Sequence, residues 1–295
     1  PIYTLDFDAV IDASAESSSG SETPQVSIIK LYNVGRDVIT MVGGNYQLYI
    51  KIEAGYVFKE GKVSESLPNL PEIYLGFIHY SRTYSEGVDV VTEFHCTPAF
   101  DKLATARISK QFNKGTFKKD VFVALASAAG LALKMDYKNR DTEKLKTAKT
   151  IEGGVSQKLT EWCNQTDTIN YVEKGILYIL DKDTKVQGKL IHNIPLSLIK
   201  GVVNLSVDVS KVIKEGAKRA PDVEFTTFLY PAINLRDVVN VQIPDYTKPP
   251  TKTSEPVPYV EQQFVVTSYT HSLQSQGTGG WETRISGKGE QAEGA

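Results

Sequence analysis

The chain has 295 residues, and at roughly 100–200 residues per domain this length predicts two or three domains and excludes a single small module. Apolar residues make up 41% and charged residues 23%, a composition that excludes global disorder. The net charge of -2 gives no overall positive field for a nucleic acid or an anionic membrane. The two cysteines, Cys96 and Cys163, are expected to be buried free thiols of a protein made in a reducing compartment.

Residues 1–96 alternate between strand signals and turn signals, and they predict an N-terminal β-barrel domain. The clearest strand, Tyr46 to Ile52, has a period of two and follows a turn at Gly43-Gly44-Asn45. The start of the chain, Pro1 to Phe7, also has the pattern of a strand and lacks the features of a signal peptide. No helical stretch is expected in this part of the chain.

Residues 97–185 show a different pattern and predict a middle α+β domain. Apolar residues recur at helical spacing in two places, and a strand pattern follows each of them. A single offset aligns Phe117 with Val155 and Val121 with Leu159, which predicts two related helix-strand units; a chance match of two generic amphipathic patterns is the alternative. The most apolar window, Val121 to Leu133, falls short of the roughly 20 residues of a spanning helix, so no membrane-spanning segment is predicted.

Residues 186–287 are rich in strands again and predict a C-terminal β-barrel domain, followed by a frayed tail at 288–295. Pro244 to Pro258 is rich in Pro, Lys and Thr and is expected to be an exposed loop. The fold class is therefore α+β and mainly β: two small β-barrel domains flank a duplicated helix-strand insert.

A catalytic or metal site is not predicted. The four histidines, His79, His95, His192 and His271, have no Cys, Asp or Glu at metal-ligand spacing and are expected to be structural. Cys163 lies on the apolar face of its predicted helix, where a thiol is inert. We expect no catalytic residues, no metal ligands and no cofactor. The basic runs are diluted by acidic neighbours, so sequence-specific nucleic-acid binding is not expected either.

Several stretches together carry a resemblance to a known family. Phe225 to Val239 resembles a pattern of a strand, a turn and a further strand, and Phe264 to Ser272 with Trp281-Glu282-Thr283 resembles the closing hairpin of the same family. Segments of the middle part, from Phe94 to Leu133, fit in the same order. The family is that of the baseplate or tail-tip hub proteins of contractile bacteriophages (late control protein D-like). Arg236 stands where the family turn often has Gly, which leaves the geometry of this turn open.

This resemblance implies a structural virion protein rather than an enzyme. The hub would be a homotrimer whose two tail-tube-like barrel domains per subunit form a pseudo-six-fold ring between the six-fold tail tube and a three-fold central spike. Its lumen would pass DNA, and its partners would be the tube protein, the spike protein, other baseplate subunits and the tape-measure protein. The resemblance places it in the tail baseplate of the virion, after synthesis in the host cytoplasm. The alternatives are the hub portion of a contractile secretion system, or a β-rich glycan-binding or hydrolase module.

Alternating strands bounded by turns are the candidate contacts with neighbouring subunits or with the tube, since such strands can pair across subunits. Ordinary strands inside one subunit are the alternative. The candidate interface residues are Tyr46, Leu48, Ile50, Val239, Val241, Ile243, Tyr246 and Tyr259.

Overall fold

The computed structural model describes residues 6–14, 26–43, 48–55, 70–98, 100–138, 140–181, 190–206, 222–244, 259–275 and 280–289. Two predicted interface residues, Tyr46 and Tyr246, lie outside the described residues, and so does most of the predicted loop from Pro244 to Pro258.

The N-terminal part is mostly β, as predicted, but it also contains a helix that the sequence patterns did not predict. Its elements are β1 (Phe7–Ser14), β2 (Ser27–Tyr32), α1 (Arg36–Gly43), β3 (Tyr49–Glu53), β4 (Glu72–Glu86) and β5 (Asp89–Thr97). In α1 the β-branched residues Val38, Ile39 and Thr40 resemble a strand, and eight residues are too few to establish a helical period. Asp37 in the first turn complements the positive end of the helix dipole.

The middle part contains the predicted pair of helix-strand units. Its elements are α2 (Phe100–Thr105), β6 (Arg107–Phe112), α3 (Lys118–Ala129), β7 (Ala132–Asp136), β8 (Lys149–Gly154), α4 (Val155–Thr166), β9 (Thr168–Glu173) and β10 (Ile176–Asp181). The predicted alignment of the two units is wrong by one residue, because α3 and α4 end on left-handed residues at Gly130 and Asp167, whereas the predicted offset pairs Gly130 with Thr168. The error has a simple cause: α3 buries both Val121 and Phe122, so either of them matches an apolar position of α4.

The C-terminal part is built from strands, as predicted. Its elements are β11 (Ile191–Ile194), a short 3-10 helix (Leu196–Leu198), β12 (Ile199–Ser206), β13 (Asp222–Phe228), β14 (Val238–Pro244), β15 (Tyr259–Gln274) and β16 (Glu282–Gly289).

One large sheet contains most of the described strands. Its main path runs β12-β13-β16-β15-β1-β2-β5-β4-β3, and β14 pairs with β15 and carries β11 on its other side. The long strand β15 holds the sheet together, because its first half pairs with β14 and its second half pairs antiparallel with β1. Hydrogen bonds therefore join the predicted N-terminal and C-terminal domains directly. The domain limits at 96/97 and 185/186 stay a prediction.

Three cores underlie this arrangement. The first lies under the N-terminal strands and includes Phe94, together with Leu229 and Leu273 from the C-terminal part. The second fills the middle part around α3 and α4, between the β6-β8 pair and the sheet β7-β10-β9. The third lies under β13 to β16 and also receives Tyr171 and Leu180 from the middle part. The mainly β, α+β fold class is confirmed. The two separate β-barrels of the prediction are not seen: among the described strands the main path is open, with β12 and β3 at its two ends, and the pairing of β1 with β15 joins both parts in one sheet.

Replacement of Leu273 tests whether β15 belongs to the N-terminal core. Leu273 is 1% exposed, so Leu273→Ala leaves a cavity beneath β1 and β5, and we expect a loss of about 2–5 kcal/mol of unfolding free energy in urea titrations. The matched control is Ser272→Ala, whose side chain lies on the opposite face of the same strand. A loss below about 0.5 kcal/mol for Leu273→Ala would contradict this assignment.

Candidate interface surfaces

The predicted interface residues at the β3 edge have different environments. Leu48 immediately precedes β3, and Ile50 packs partly buried against the N-terminal core. Tyr49, which the prediction did not include, is 66% exposed. The described strand begins at Tyr49, within the predicted range Tyr46 to Ile52, and Tyr46 lies outside the described residues.

The β14 candidates have side chains in the chain's own core. Val239 and Val241 are fully buried, and Ile243 is 4% exposed, all three within the C-terminal core. Their side chains contact residues of the same subunit, and the residues between them, Asn240 and Gln242, lie on the opposite face of the strand. Tyr259, at the start of β15, is exposed. The interface assignment of these residues stays a prediction.

A continuous surface crosses the large sheet on the side away from the cores, and we call it the outer sheet face. Because residues paired across neighbouring strands share a face, the strand registers define it. One row of paired residues runs from β13 to β4 and consists of Phe228, Glu282, Ser272, Val10, Ile28, His95 and Tyr80. The neighbouring row, shifted by one residue along each strand, has buried side chains and includes Leu273, Ala9, Ile29 and Phe94. The sheet therefore has one face on the cores and one outer face.

On the N-terminal half of the outer sheet face, three side chains surround the carboxylate of Glu93, and we call this group the Glu93 cluster. Glu93 on β5 accepts hydrogen bonds from Arg82 Nε at 3.0 Å and from Tyr84 Oη at 3.1 Å, and its Oε1 lies 2.6 Å from His95 Nε2. Burial alone would raise the pKa of Glu93, but the hydrogen bonds from Arg82, His95 and Tyr84 outweigh it and lower the pKa to about 2. Glu93 is thus a buried, ionised group held by three neighbours.

The C-terminal half of the same face also carries paired charges. Arg284 donates to Glu224 at 2.6 Å across β16 and β13, and Lys200 donates to Glu282 at 2.7 Å. The same face also carries exposed apolar side chains, of which Val10 and Phe228 are each 43% exposed. Two further carboxylates, Asp8 and Asp12 of β1, share the face of Val10 and accept hydrogen bonds from Tyr32 Oη and Thr270 Oγ1. The outer sheet face therefore combines paired charges, small apolar patches and additional carboxylates.

The middle part contacts the C-terminal part through a polar junction. The β9-β10 hairpin turns at Lys174 and Gly175, and its tip meets the turn Asn234–Asp237 that precedes β14. Lys174 Nζ donates to Asn234 Oδ1 at 3.1 Å. Glu173 Oε1 accepts from Leu235 N at 3.1 Å and from Tyr269 Oη at 3.0 Å. Burial, together with the charge of Glu173, raises the pKa of Tyr269 well above its usual value.

The structure defines the geometry of the turn at Arg236, which the family resemblance left open. Asp237 N donates to Asn234 O at 3.2 Å, and Arg236 at the third position has a φ of +67°. A turn with a positive φ at this position normally takes Gly or Asn, which agrees with the Gly of the family pattern. Arg236 adopts this left-handed backbone conformation. Its side chain makes a further contact, because Nη2 donates a hydrogen bond to Asp181 O at the end of β10 at 3.1 Å.

Asp237 holds the other side of the turn. Its Oδ2 accepts from Asn234 N at 2.9 Å and from Asn234 Nδ2 at 3.1 Å, and it lies 3.0 Å from His192 Nε2 on β11. His192 Nδ1 in turn lies 3.2 Å from the Tyr230 hydroxyl. Sequence patterns did not identify this cluster, because its members come from β9, β11 and the turn before β14. The indication of this cluster in the sequence was Arg236, which stands at a turn position where the family pattern often has Gly.

The two thiols and His271 are buried. Cys96 and Cys163 are both free and buried, and burial raises the pKa of each thiol, to about 12 for Cys96. Burial lowers the pKa of His271 to about 3, with a smaller contribution from the charge of Lys174, and its Nδ1 lies 2.9 Å from Thr283 Oγ1. Within the described ranges, no three His, Cys, Asp or Glu side chains are grouped to hold a metal ion.

None of the described helices is long and apolar enough to cross a membrane.

Comparison with known proteins gives one family and a set of similar folds. The family model described as "Baseplate hub gp41" matches residues 35–244. The fold is similar to that of a tail protein from Neisseria meningitidis, with 12% identity, a TM-score of 0.58, and coverage of 98% of this chain and 97% of that one. A 43 kDa tail protein of prophage MuSo2 from Shewanella oneidensis has 10% identity and a TM-score of 0.54 over 96% and 94% of the two chains.

The E. coli c3393 protein is also similar in fold. It is described as a component of the type VI secretion system with structural similarity to the T4 bacteriophage tail proteins gp27 and gp5. It has 9% identity and a TM-score of 0.58, over 98% of this chain and 74% of that one. A search of curated proteins gave no match.

The Glu93 cluster predicts a pH-dependent stability. The pKa of Glu93 is lowered from 4.5 to about 2 in the folded state, so its contribution is complete above pH 4.5 and is lost as the pH falls through about 2. We expect Glu93→Gln to lose about 1–3 kcal/mol of unfolding free energy at pH 7, and this loss should roughly halve by pH 3. Urea titrations at both pH values measure it. Glu224→Gln, in an exposed pair with Arg284, is the control and should change stability by less than about 0.5 kcal/mol. A loss for Glu93→Gln that does not change with pH would contradict the assignment.

The turn geometry predicts an order of stability for two variants of Arg236. Both Arg236→Gly and Arg236→Ala remove the bond to Asp181 O, but only Gly adopts a positive φ without steric cost. We expect the Ala variant to be less stable than the Gly variant by about 1 kcal/mol in chemical unfolding. Equal stabilities would show that the left-handed backbone of Arg236 is not retained in the variants.

Proposed function

Because the chain belongs to the baseplate hub gp41 family and is a structural component of the phage tail baseplate, we propose that it forms a homotrimeric hub joining the six-fold tail tube to a three-fold central spike. Each subunit contributes an N-terminal and a C-terminal β part to the ring, which gives six similar units around the axis. The subunit is made in the host cytoplasm and then assembles into the tail.

The observation that carries this proposal is the single large sheet whose main path has two open ends. Among the described strands, β12 at one end pairs only with β13, and β3 at the other end pairs only with β4. An unpaired strand edge exposes N–H and C=O groups that readily pair with another chain. Since the two ends differ, a contact between β12 of one subunit and β3 of the next is head-to-tail. Such contacts close into a ring when the rotation per subunit is 120°.

The outer sheet face suits the wall of the central channel. In a ring built from such sheets one face must line the lumen, and the core-packed face is already occupied by the subunit's own side chains. Arg82, Arg284 and Lys200 on the outer sheet face are each paired with a glutamate, and Asp8 and Asp12 add negative charge to the same face, so a DNA polyanion meets no strongly positive surface there. DNA can therefore pass without being held by a positive surface.

The ring brings the chain into contact with several partners. One end of the ring meets the tail tube protein and the other end meets the spike protein. The end of the tape-measure protein reaches the lumen, and other baseplate subunits bind the outside of the ring. The middle parts, which carry α3 and α4, project from the ring toward these neighbours.

The β3 edge supplies a variant that separates assembly from folding. Leu48 O accepts a hydrogen bond from Ile78 N, which makes Leu48 and Ile78 a hydrogen-bonded pair. Because such pairs alternate along an antiparallel ladder, the next hydrogen-bonded pairs between β3 and β4 are Ile50 with Gly76 and Ile52 with Tyr74. The N–H of Tyr49 then points away from β4, toward the open edge. Proline at position 49 removes this outward donor and leaves the bonds to β4 in place.

We expect the purified chain to be a trimer by multi-angle light scattering and Tyr49→Pro to be mostly monomeric at micromolar concentration. Tyr49→Thr removes the same ring but keeps the N–H, and it should remain trimeric. Thermal melting of both variants checks that the subunit fold is intact. A strictly monomeric wild-type chain that is also absent from purified particles would refute the hub, while a fully trimeric, normally melting Tyr49→Pro would exclude the β3 edge from the interface.

A further inference from the structure

The charges of the chain are unevenly distributed between its predicted parts. Residues 1–96 contain 13 acidic and 6 basic residues, which gives a net charge of -7. Residues 97–185 contain 11 acidic and 16 basic residues, a net charge of +5, and residues 186–295 contain 11 of each. The total of -2 therefore combines an acidic N-terminal part with a basic middle part.

Two adjoining loops of the middle part present exposed lysines. The loop between β6 and α3 pairs with the segment around Leu145, since Leu145 N donates to Thr116 O at 2.8 Å. This pairing places Lys114 near Lys144 and Lys146, and all three residues are exposed. We call these three residues the lysine surface.

The carboxylates of these loops are engaged by other basic side chains. Glu143 Oε2 lies 2.7 Å from Lys118 Nζ. Asp141 is paired with both Lys119 and Arg140. Within the described ranges, no ion pair includes a residue of the lysine surface, so its charges have no acidic partner in the subunit.

The two loops therefore carry an excess of positive charge. Residues 110–120 and 140–146 together contain seven basic and three acidic residues, and the third acidic one, Asp120, lies in the first turn of α3. Lys144 contacts a neutral group, since its Nζ lies 4.8 Å from the centre of the Phe117 ring. The adjoining β8 and α4 add no net charge, because their basic and acidic residues balance: Lys149, Lys158, Glu152 and Glu161.

The core beneath the lysine surface lies on the side of the middle part away from the C-terminal part. Leu177 and Ile179 of β10 pack into the core around α3 and α4, whereas Leu180 of the same strand packs into the C-terminal core. Leu145, between two of the surface lysines, belongs to the core around α3 and α4. The sheet β7-β10-β9 therefore separates this core from the C-terminal part.

We propose that the lysine surface of one subunit binds the acidic N-terminal part of a second copy of this chain. The proposal rests on the proposed trimer and deepens it, since a head-to-tail ring already places the β3 edge of one N-terminal part against the next subunit. The N-terminal part is the one with an excess of negative charge. None of the described ion pairs joins a lysine of the middle part to a carboxylate of the N-terminal part, so this attraction is not used within one subunit.

The N-terminal part has carboxylates available for this contact. Glu86 at the end of β4 is exposed, and within the subunit it interacts with the charge of Lys30. Asp89, opposite it on β5, accepts a hydrogen bond from the neutral side-chain amide of Asn33 at 2.7 Å. Like charges repel, so the charges disfavour contacts between two N-terminal parts or two middle parts and favour the contact of one with the other.

The proposal is tested by carbodiimide cross-linking of the purified full-length chain, which forms an amide between a lysine amine and a carboxylate in direct contact. A cross-link between two copies gives a dimer-size band on a denaturing gel, and mass spectrometry of that band identifies the joined residues. We expect cross-links from the lysine surface to carboxylates within residues 1–96.

A charge-reversed variant measures the contribution of this contact to assembly. Lys114→Glu combined with Lys146→Glu reverses two charges whose side chains form no described hydrogen bond or ion pair. We expect it to raise the concentration at which half of the chain is trimeric by about tenfold at low salt, and high salt should reduce the difference. The control, Lys134→Glu combined with Lys138→Glu, reverses two exposed lysines in and just after β7 and should stay within about twofold of the wild type. Thermal melting verifies that both variants are folded, and the corresponding Gln variants replace any that melt early.

Three outcomes overturn the proposal: the cross-links between copies come only from other lysines, the charge-reversed variant assembles like the control, or it loses binding to duplex DNA while its trimer is unchanged. The last outcome would make the lysine surface a nucleic-acid site. The proposed trimer survives all three. A chain that forms dimers through these cross-links would refute the trimer and retain the contact, whereas a strictly monomeric chain would refute both.

Discussion

The pairing of β1 with β15 is the interaction on which the rest of the structure depends. It joins the first described strand to one of the last, in an unbroken register from Asp8 opposite Gln274 to Ser14 opposite Ser268. Without it, the N-terminal and C-terminal strands would form two separate sheets, with new open edges at β1 and at the second half of β15. With it they form one sheet, Leu273 and Leu229 complete the N-terminal core, and the middle part is inserted between strands of a single sheet. Strands so distant in sequence close a long loop, so this pairing is entropically costly and is offset by the core on its inner face.

The polar junction is held together by hydrogen bonds between buried polar groups, whereas the cores are held together by apolar packing. Glu173, Arg236 and Asp237 are buried, and a buried charge is costly unless its hydrogen bonds are satisfied with good geometry. The β9-β10 hairpin tip and the Asn234–Asp237 turn satisfy one another only in one relative position. The junction therefore fixes the orientation of the middle part on the C-terminal part more sharply than apolar contacts would, since apolar contacts tolerate sliding. For a structural component of the baseplate, a fixed orientation of its parts matters more than added stability.

The sequence was sufficient for the element types and for the family, but not for the long-range partners. Alternation predicted the strand of Val239, Val241 and Ile243, which is β14, because this signal is local. The same alternation could not say that Val239 and Val241 face the chain's own core, because a buried face and an interface face have the same period. The helix α1 was missed since its β-branched residues favour a strand locally. The Glu93 cluster and the polar junction each depend on which strands become neighbours, which local patterns do not encode.

The open edges connect the fold to its role. The described strands leave unpaired edges at β3, β12 and β8, and a long-lived monomer would expose all of them to water and to chance partners. Proteins that remain monomeric usually block such edges with inward charges, bulges or prolines. Here β3 has the surface ion pair of Lys51 with Glu53 and a register shift between Ile52 and Glu53 at its end, whereas Tyr49 at its start is exposed. In the proposed ring the requirement is the opposite, because each open edge is a site where a neighbouring protein can pair in a defined register. An edge that is a liability for a free monomer would there serve assembly.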